Sequence, residues 1–364
     1  MKVSEITSLL EEFAPLALQE SYDNAGLLVG DKSMDVSGVL ITLDVTEAVI
    51  DEAIQKNCNL IISHHPLIFR GLKKIVGQDF IQRCVIKAIK NDIAIYASHT
   101  NIDNVKNGVN GKIADKIGLT NRQILKPKSD TLLKLVTFVP YQHREKVQQA
   151  LFNAGAGHIG EYDSCSFYAS GTGTFRAGTF ANPFVGEKNV LHSEEEMRLE
   201  VILPTYLQHK VVSALQETHP YEEPAFDIIP LLNTWNTVGL GMVGELNREM
   251  SEREFLDHLK KEFSLSVIRH TAFTNRKVKK VALCGGSGSE FLRDALAYKA
   301  DVYISGDFKY HEFFDAEERI LIADIGHYES EQFTKDVFYE IITKKIPNFA
   351  IRISEVNTNP INYY

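Results

Sequence analysis

The sequence predicts an α/β protein in which two α/β lobes flank an inserted ferredoxin-like α+β domain. Near both ends of the chain, short apolar segments of strand length alternate with segments of helix length. Continuous apolar strands separated by helices are typical of parallel sheets that are covered on both faces. In the middle of the chain this pattern changes and a stretch rich in glycine and threonine appears, which indicates a unit of a different kind.

The amino-terminal block is predicted to begin with an amphipathic helix. In the segment MKVSEITSLLEEFAP, the apolar residues Ile6, Leu9, Leu10 and Phe13 share one helical face, and the interspersed glutamates argue against a signal peptide. Strands then follow at residues 38–43, 59–63 and 93–98, and helices at 45–57 and 80–91. The carboxy-terminal block repeats the alternation, with strands at 280–284, 302–305 and 320–323 and helices at 288–298 and 330–343.

The insert is assigned to residues 129–233, and the outer fold to residues 1–128 and 234–364. Within the insert, strands are predicted at 132–139, 164–169, 197–203 and 225–229, helices at 143–154 and 206–218, and a hairpin turn around Gly171-Thr172-Gly173. Strand, helix, two strands, helix, strand is the order of a ferredoxin-like unit. The outer fold is therefore expected to close from both sides of this unit.

The composition excludes several classes of protein. The 364 residues suggest two or three domains, and 44% hydrophobic with 24% charged residues is a globular balance, not that of a disordered chain. A net charge of −9 makes a nucleic-acid partner unfavourable, because such proteins need a wide basic surface. No apolar segment approaches the roughly 18 residues of a membrane span. We therefore expect a cytoplasmic protein.

Imidazoles and carboxylates follow five of the predicted strands at their carboxyl ends. In α/β sheets, functional residues gather at this edge, where the loops meet. A single histidine in such a place is more often a capping or solvated residue, so the prediction depends on the set as a whole. The residues concerned are Asp44, His64, His65, His99, Asp103, Asp307, Asp324, His327 and Glu331.

Five members of this set have the spacing expected of metal ligands. The adjacent His64 and His65 leave an extended backbone in opposite directions, so they can serve two neighbouring ions. In a helical segment, His327 and Glu331 lie four residues apart, share one face and converge on a common position. Asp103, which follows a strand end by a few residues, can bridge two ions as a bidentate carboxylate.

Three imidazoles and two carboxylates favour zinc, iron(II) or manganese over calcium or magnesium. Five protein ligands spread over two divalent ions leave positions open for water, which is typical of a reactive site. The leading hypothesis is a metal-dependent hydrolase that acts on a small, nucleotide-like molecule. The alternative is a protein that stores, delivers or senses metal ions, with the insert as a regulatory module.

Several segments resemble signatures of the Nif-three-like family. They are SYDNAGLLVG (21–30), IISHHPLIF (61–69), SHTNID (98–103), GDFKYHEFFDA (306–316) and DIGHYESEQF (324–333), and HPYEEPAFDIIPL (219–231) is similar to the insert of longer members. The resemblance implies a dinuclear metal site on the same five residues and kinship with the GTP cyclohydrolase I type 2 homologues. It also implies an insert that resembles the PII and CutA regulators, and a ring-shaped homohexamer.

A glycine-rich segment and two further histidines give weaker predictions. The segment CGGSGSEF follows a strand and opens a helix, so the backbone N–H groups of Gly285, Gly286, Ser287 and Gly288 are candidates for holding a substrate phosphate. A tight structural turn is the favoured interpretation, because the Lys-Ser/Thr of a phosphate-binding loop is absent. His99 and His311 are the candidates for catalytic roles, by orienting a ligand or facing the substrate, and strand capping is the alternative.

Overall fold

The computed structural model describes residues 1–364, which divide into two compact units. The first unit consists of Met1–Lys126 and Thr237–Tyr364, and the second of Pro127–Asn236. Each unit has its own hydrophobic core, and the core of the second contains no residue of the first. None of the helices has the length and apolar character that crossing a membrane requires.

The first sheet of the first unit has five strands. They are β1 (Gly26–Val29), β2 (Val39–Thr42), β3 (Leu60–Ser63), β4 (Ala94–Ala97) and β15 (Ile351–Ile353). Their order across the sheet is β1-β4-β3-β2-β15. The pairs β15–β2, β2–β3 and β3–β4 are parallel, and every residue of β2, β3 and β4 is buried, which is the expected environment of parallel strands.

The second sheet of this unit has six strands. They are β5 (Leu119–Lys128), β10 (Trp235–Ser251), β11 (Arg269–His270), β12 (Lys277–Ser287), β13 (Val302–Gly306) and β14 (Leu321–Asp324). Their order is β11-β14-β13-β12-β10-β5. The pairs β12–β13 and β13–β14 are parallel, whereas β10 and β11 pair antiparallel with the central strands, as β1 does in the first sheet. The predicted strands of each sheet therefore pair in parallel as expected, and the sheets are mixed because β1, β10 and β11, which were not predicted, pair antiparallel.

The helices of the first unit are α1 (Val3–Phe13), α2 (Glu47–Gln55), α3 (Phe80–Lys90), α4 (Thr100–Asp103), α5 (Val109–Ile117), α8 (Glu252–Phe263), α9 (Leu292–Ala297), α10 (His327–Glu331) and α11 (Thr334–Lys345). Local caps fix several of their ends. Asp79 accepts a hydrogen bond from the Gln82 N–H at the start of α3, and Ser251 with Glu254 forms a capping box on α8. The helix predicted at 330–343 is two helices, α10 and α11, because the chain turns at residues 332–333.

The strand registers bring the polar residues to one edge. Thr42 pairs with Ser63, and Ser63 pairs with Ala97, so β2, β3 and β4 end level with one another. In the second sheet Ser305 pairs with Asp324, so β13 and β14 also end together. The residues that follow each strand in sequence therefore emerge side by side, which is the arrangement predicted for parallel strands.

The second unit contains one antiparallel sheet and two helices. Its elements are β6 (Leu132–Pro140), α6 (Arg144–Asn153), β7 (Ser166–Arg176), β8 (Leu191–Pro204), α7 (Gln208–Thr218) and β9 (Phe226–Leu231). The strand order is β7-β8-β6-β9. The hairpin turn predicted at Gly171-Thr172-Gly173 was wrong, because these residues pair with β8 in the middle of β7 and the connection to β8 lies at residues 177–190.

Candidate metal centre

The five residues predicted as metal ligands lie together at the strand ends of the first unit. Their side chains form two overlapping groups, and within each group the ligand atoms all lie within 4.8 Å of one another. The first group is His65, His327 and Glu331, and the second is His64, Asp103 and Glu331. Glu331 therefore belongs to both groups, although the sequence pattern favoured Asp103 as the bridging carboxylate.

The first group has the donor spacing of a single metal site. Nε2 of His65 lies 3.0 Å from Oε2 of Glu331 and 3.2 Å from Nε2 of His327, and the His327 nitrogen lies 3.1 Å from the same carboxylate oxygen. Ligand atoms about 2.1 Å from a tetrahedral ion are separated by roughly 3.4 Å, which follows from the bond length and angle. The three donors thus fit one divalent cation.

The second group contains a buried nitrogen that the protein leaves without a hydrogen bond. His64 is fully buried, and its Nε2 has no hydrogen-bond partner. The nearest carboxylate oxygens are Oε1 of Glu331 at 3.5 Å and Oδ1 of Asp103 at 3.8 Å. A buried polar atom without a partner is costly, and a cation held by these three residues would satisfy it. The donor set therefore fits a second divalent ion.

The opposite ring nitrogen of each histidine is held by a hydrogen-bond acceptor. Nδ1 of His65 lies 2.7 Å from Oδ1 of Asp44, and Nδ1 of His327 lies 2.7 Å from Oδ2 of Asp307. Nδ1 of His64 lies 3.0 Å from the carbonyl oxygen of Ser98. When Nδ1–H donates in this way, the lone pair of Nε2 is free to bind a metal ion and the ring is held in orientation.

His99 is a further imidazole next to the two groups. Its ring centre lies 5.3 Å from that of His64 and 5.5 Å from that of His65, and these three residues form another group of convergent ligand atoms. Nδ1 of His99 lies 2.8 Å from Oδ1 of Asp23. The same carboxylate accepts a hydrogen bond from the backbone N–H of Thr100 at 3.0 Å. The turn at residues 21–24 therefore holds His99 at the site.

Burial and neighbouring charges shift the pKa values of the ligands in the metal-free protein. Burial raises the pKa of Asp103 well above its usual range, and the negative charge of Glu331 adds to this effect. Burial also lowers the pKa of His64, because the charged ring is desolvated. For His65 burial acts in the same direction, but hydrogen bonds to Asp44 and Glu331 outweigh it and raise the pKa to about 9.

His327 and Glu331 shift each other as an ion pair. Burial lowers the pKa of His327, but the bonds to Asp307 and Glu331 outweigh it and raise the pKa to about 11. Burial raises the pKa of Glu331, but the charges of His64 and His327 outweigh it and hold the pKa well below the usual range. A negative Glu331 between imidazoles is the charge state that a divalent cation requires.

The glycine loop at the end of β12 packs against the metal ligands. The N–H groups of Gly285 and Gly286 donate at 2.9 Å to Asn110 and Ser330. Gly286 has a φ of +63°, and a Cβ atom there would lie 2.3 Å from Oε1 of Glu331. Glycine is therefore required because the backbone approaches the carboxylate closely.

Most of the backbone N–H groups of this loop donate hydrogen bonds within the protein. The N–H group of Gly288 donates to Ser305 at 2.9 Å, so three of the four residues Gly285, Gly286, Ser287 and Gly288 use their amides internally. This agrees better with the structural turn favoured by the sequence than with a phosphate site.

His311 lies outside the convergent groups, because it is exposed in the 3₁₀ helix Tyr310–Ala316, with its ring against Tyr310.

Comparison with known proteins identifies the family. A family model described as Duf34/NIF3 (NGG1p interacting factor 3) matches residues 1–360. The chain belongs to the NIF3 family. The resemblance seen in the sequence segments is thereby confirmed.

Relatives of similar length span nearly the whole chain. The GTP cyclohydrolase 1 type 2 homolog of Halalkalibacterium halodurans is 40% identical over 363 residues, which cover 98% of this chain and 98% of that protein. The crystal structure of a Bacillus cereus protein related to NIF3 has a TM-score of 0.86 and 41% identity, and covers 100% of this chain and 99% of that one. A Staphylococcus aureus protein of known structure has a TM-score of 0.80 and 30% identity with the same coverage.

Sequence reasoning did not assign the groups that hold the ligands. Asp44 and Asp307 were candidates for orienting a ligand or capping a strand, but their pairing with His65 and His327 depends on contacts that spacing does not reveal. The backbone carbonyl of Ser98 carries no sequence signal as an acceptor. Thr358 donates to Asp44 at 2.6 Å from a carboxy-terminal segment that the pattern left unassigned.

Proposed function

We propose that the protein binds two divalent metal ions and acts as a metal-dependent hydrolase on a small, nucleotide-like substrate. The observation that carries this proposal is the buried Nε2 of His64, which has no hydrogen-bond partner and faces the carboxylates of Asp103 and Glu331. A pair of divalent ions supplies Lewis acidity toward an electrophilic carbon or phosphorus and makes water more acidic. Zinc, iron(II) and manganese suit this mixture of nitrogen and oxygen donors.

The exposure of the ligands supports entry of a substrate from one side. The side chain of His64 is 0% exposed, whereas those of His65 and His327 are 22% and 34% exposed. Water and a small substrate therefore reach the group formed by His65, His327 and Glu331 more readily than the other group, in which the side chains of His64 and Asp103 are 0% and 16% exposed. A purely structural site has no need for such an open side.

His99 is the residue best placed to exchange a proton with the substrate. Its Nδ1 is held by Asp23, so its Nε2 is directed to the convergent donors, and its side chain is 18% exposed. A histidine with one nitrogen fixed by a carboxylate can accept a proton on the other nitrogen and keep its orientation. In this proposal His99 is the general base or acid, and His311 has no part in the chemistry.

The nucleotide-like class of substrate is supported by the name of the relatives, which are GTP cyclohydrolase 1 type 2 homologs. The test is to purify the protein with its native metal, identify that metal by elemental analysis, and screen nucleoside triphosphates for hydrolysis. We expect turnover that Glu331→Gln abolishes and His311→Gln preserves. Metal transfer to a metal-free acceptor without any turnover would favour the alternative, a protein for metal storage or delivery.

We further propose that the second unit is a ferredoxin-like module of the PII and CutA kind and that the protein is a cytoplasmic homohexamer. The order of helices and strands, with the antiparallel strand order β7-β8-β6-β9, supports the first part. Membership of the NIF3 family supports the proposed cytoplasmic homohexamer. Light scattering on the purified full chain tests the assembly, and a mass below that of six chains would contradict it.

A further inference from the structure

One cavity is lined only by residues of the unit formed by Pro127–Asn236, and none of these residues belongs to a metal-ligand group. Its volume is about 820 Å³, which is large enough for a small organic molecule. Glu196 and Arg198 of β8 line it, whereas the alternate residues Leu199 and Val201 pack into the core with the helices. Side chains alternate between the two faces of a strand, so the cavity lies on the face of the sheet opposite the helices.

Glu196 is a nearly buried carboxylate with too few partners. It is only 9% exposed, and its single hydrogen bond comes from the hydroxyl of Tyr221, at 2.8 Å to Oε1. Oε2 occupies the space left by Gly173, where a Cβ atom would lie 2.1 Å away. A carboxylate has about four acceptor positions, and burying its charge without a cation is costly. The carboxylate of Glu196 can therefore accept the charge of a bound cation.

No protein cation fills this role. Arg198 is the only basic residue of the cavity lining, and its Nε donates at 2.9 Å to Glu200. Two more carboxylates, Glu222 and Glu223, also line the cavity. An anionic ligand would be repelled, and a neutral apolar ligand would leave the charge of Glu196 without an ion-pair partner.

Aromatic rings form the rest of the wall. The ring of Tyr221 lies 6.0 Å from that of Phe175 and 6.3 Å from that of Phe184, measured between centres. Burial and the charge of Glu196 raise the pKa of Tyr221, so its hydroxyl remains a donor. Aromatic faces attract ammonium groups and pack well against methylene chains. A bare inorganic dication is disfavoured, because no group of three convergent ligand side chains lies in this unit.

We propose that this cavity binds an aliphatic ammonium ion of polyamine size, with the Glu196 carboxylate as its ion-pair partner and the rings of Phe175, Phe184 and Tyr221 around its chain. The site is independent of the metal centre, and its ligand differs from the anionic nucleotide class proposed there. The chain thus carries an organic-cation site in addition to its metal ligands.

Titration calorimetry of the full-length protein with spermidine tests the proposal. The key variant is Glu196→Gln, which keeps the size of the side chain and removes its charge. Glu195→Gln is the matched control, because Glu195 is the adjacent residue, is exposed and points to the other face of β8. We expect wild type and Glu195→Gln to bind alike and Glu196→Gln to bind about tenfold or more weakly, as for a lost charged hydrogen bond.

A second variant and a second ligand keep the test decisive if Glu196→Gln fails to fold. Phe184 is half-exposed, so Phe184→Leu leaves the core intact, and we expect it to weaken spermidine binding several-fold through the lost ring. The neutral 1,8-octanediol, with a similar chain, should not compete. Equal binding of the diol, equal losses in Glu195→Gln and Glu196→Gln, or no saturable binding of spermidine at millimolar concentration would each overturn the proposal.

Discussion

The Nε2 atoms of His65 and His327 face one another across 3.2 Å, although 262 positions separate the two residues in sequence. Both rings already use Nδ1 for a carboxylate, Asp44 in one case and Asp307 in the other. Two ring nitrogens directed at the same point, next to a carboxylate oxygen of Glu331, form a ready site for a cation. In the metal-free protein the same position has to hold protons instead.

Metal binding is therefore expected to release protons. The pKa values of His65 and His327 are raised to about 9 and about 11, so both rings are protonated near pH 7 in the metal-free protein. Zinc binds only the neutral imidazole, so it must displace these protons. Its apparent affinity should therefore rise with pH up to about 11, and less steeply above about 9, where His65 loses its proton unaided. Calorimetry in buffers of different ionisation enthalpy measures the number released. Identical heats in all buffers would contradict the prediction. His311 lies outside the ligand groups, so His311→Gln is the control and should release as many protons as wild type.

The protein should bind about two divalent ions per chain. The two groups of donors share only Glu331, and each contains two further ligands of its own. One ion is not expected to satisfy both groups, because the ligand atoms of His64 and His327 belong to no common convergent group. Elemental analysis after saturation with zinc and removal of excess metal should give near two equivalents. A saturated value of one or less would eliminate the dinuclear arrangement.

His64→Ala and His65→Ala should remove different ions, whereas Glu331→Gln should weaken both. Of the two groups that contain Glu331, each of these histidines lies in one, and Glu331 contributes an oxygen to each group. The sequence alone grouped Glu331 with His327, which predicts a selective effect, so the variant distinguishes the two arrangements. In cobalt-substituted protein the two histidine variants should retain one ion each, with different visible spectra. Glu331→Gln should lower affinity at both sites by more than the roughly 10–100-fold typical of outer partners.

Much of this site was predictable because strand ends are visible in sequence. Apolar segments followed by His64-His65, Asp103 or the His327–Glu331 pair mark the edge of a sheet, and level registers then bring these residues together. Their division into two groups was not predictable, because it depends on where Glu331 lies relative to β3. That position is set by Gly286, whose missing side chain admits the carboxylate. A glycine in the sequence indicates that another group approaches the backbone closely, but it does not identify that group.

The errors in the fold prediction have similar causes. The turn predicted at Gly171–Gly173 was a reasonable inference from glycine, yet the side chain of Glu196 occupies the space over Gly173 within a continuous strand. The antiparallel strand β11 has only two residues, both exposed, so it gives no periodic signal. Tertiary contacts determine the structure in both cases, and the local sequence pattern carries no information on them.

Removing the second unit should leave metal binding intact. All five proposed ligands lie in Met1–Lys126 and Thr237–Tyr364, and β5 and β10, which lead into and out of the removed segment, are neighbours in one sheet. Joining Lys126 to Thr237 through an Asn-Gly turn therefore closes a hairpin between adjacent strands. We expect near-wild-type zinc content and a cooperative thermal transition. The same truncation carrying Glu331→Gln is the control that should lose metal, and a folded truncation without metal would contradict the prediction.

Thr358 should tune metal affinity from the carboxy-terminal segment. Its hydroxyl donates at 2.6 Å to Oδ2 of Asp44, whose other oxygen holds Nδ1 of His65. Burial raises the pKa of Asp44, but the bonds from His65 and Thr358 outweigh it and keep the carboxylate charged. Thr358→Val removes one of these bonds, so the orientation of His65 should loosen. We expect a several-fold loss of zinc affinity in competition with a chromophoric chelator, and little change in Thr358→Ser.

A double-mutant cycle shows whether Thr358 acts through Asp44 or only through folding. Asp44→Asn should lower zinc affinity by about 10–100-fold, as is typical when the partner of a ligating histidine is changed. In the Asp44→Asn background, Thr358→Val should cause little further loss, because the carboxylate it supports is already absent. A purely structural role for the segment would instead lower the thermal stability of the metal-free protein and add its full effect in both backgrounds. Additive losses of affinity would therefore rule out the connection from Thr358 through Asp44 to His65.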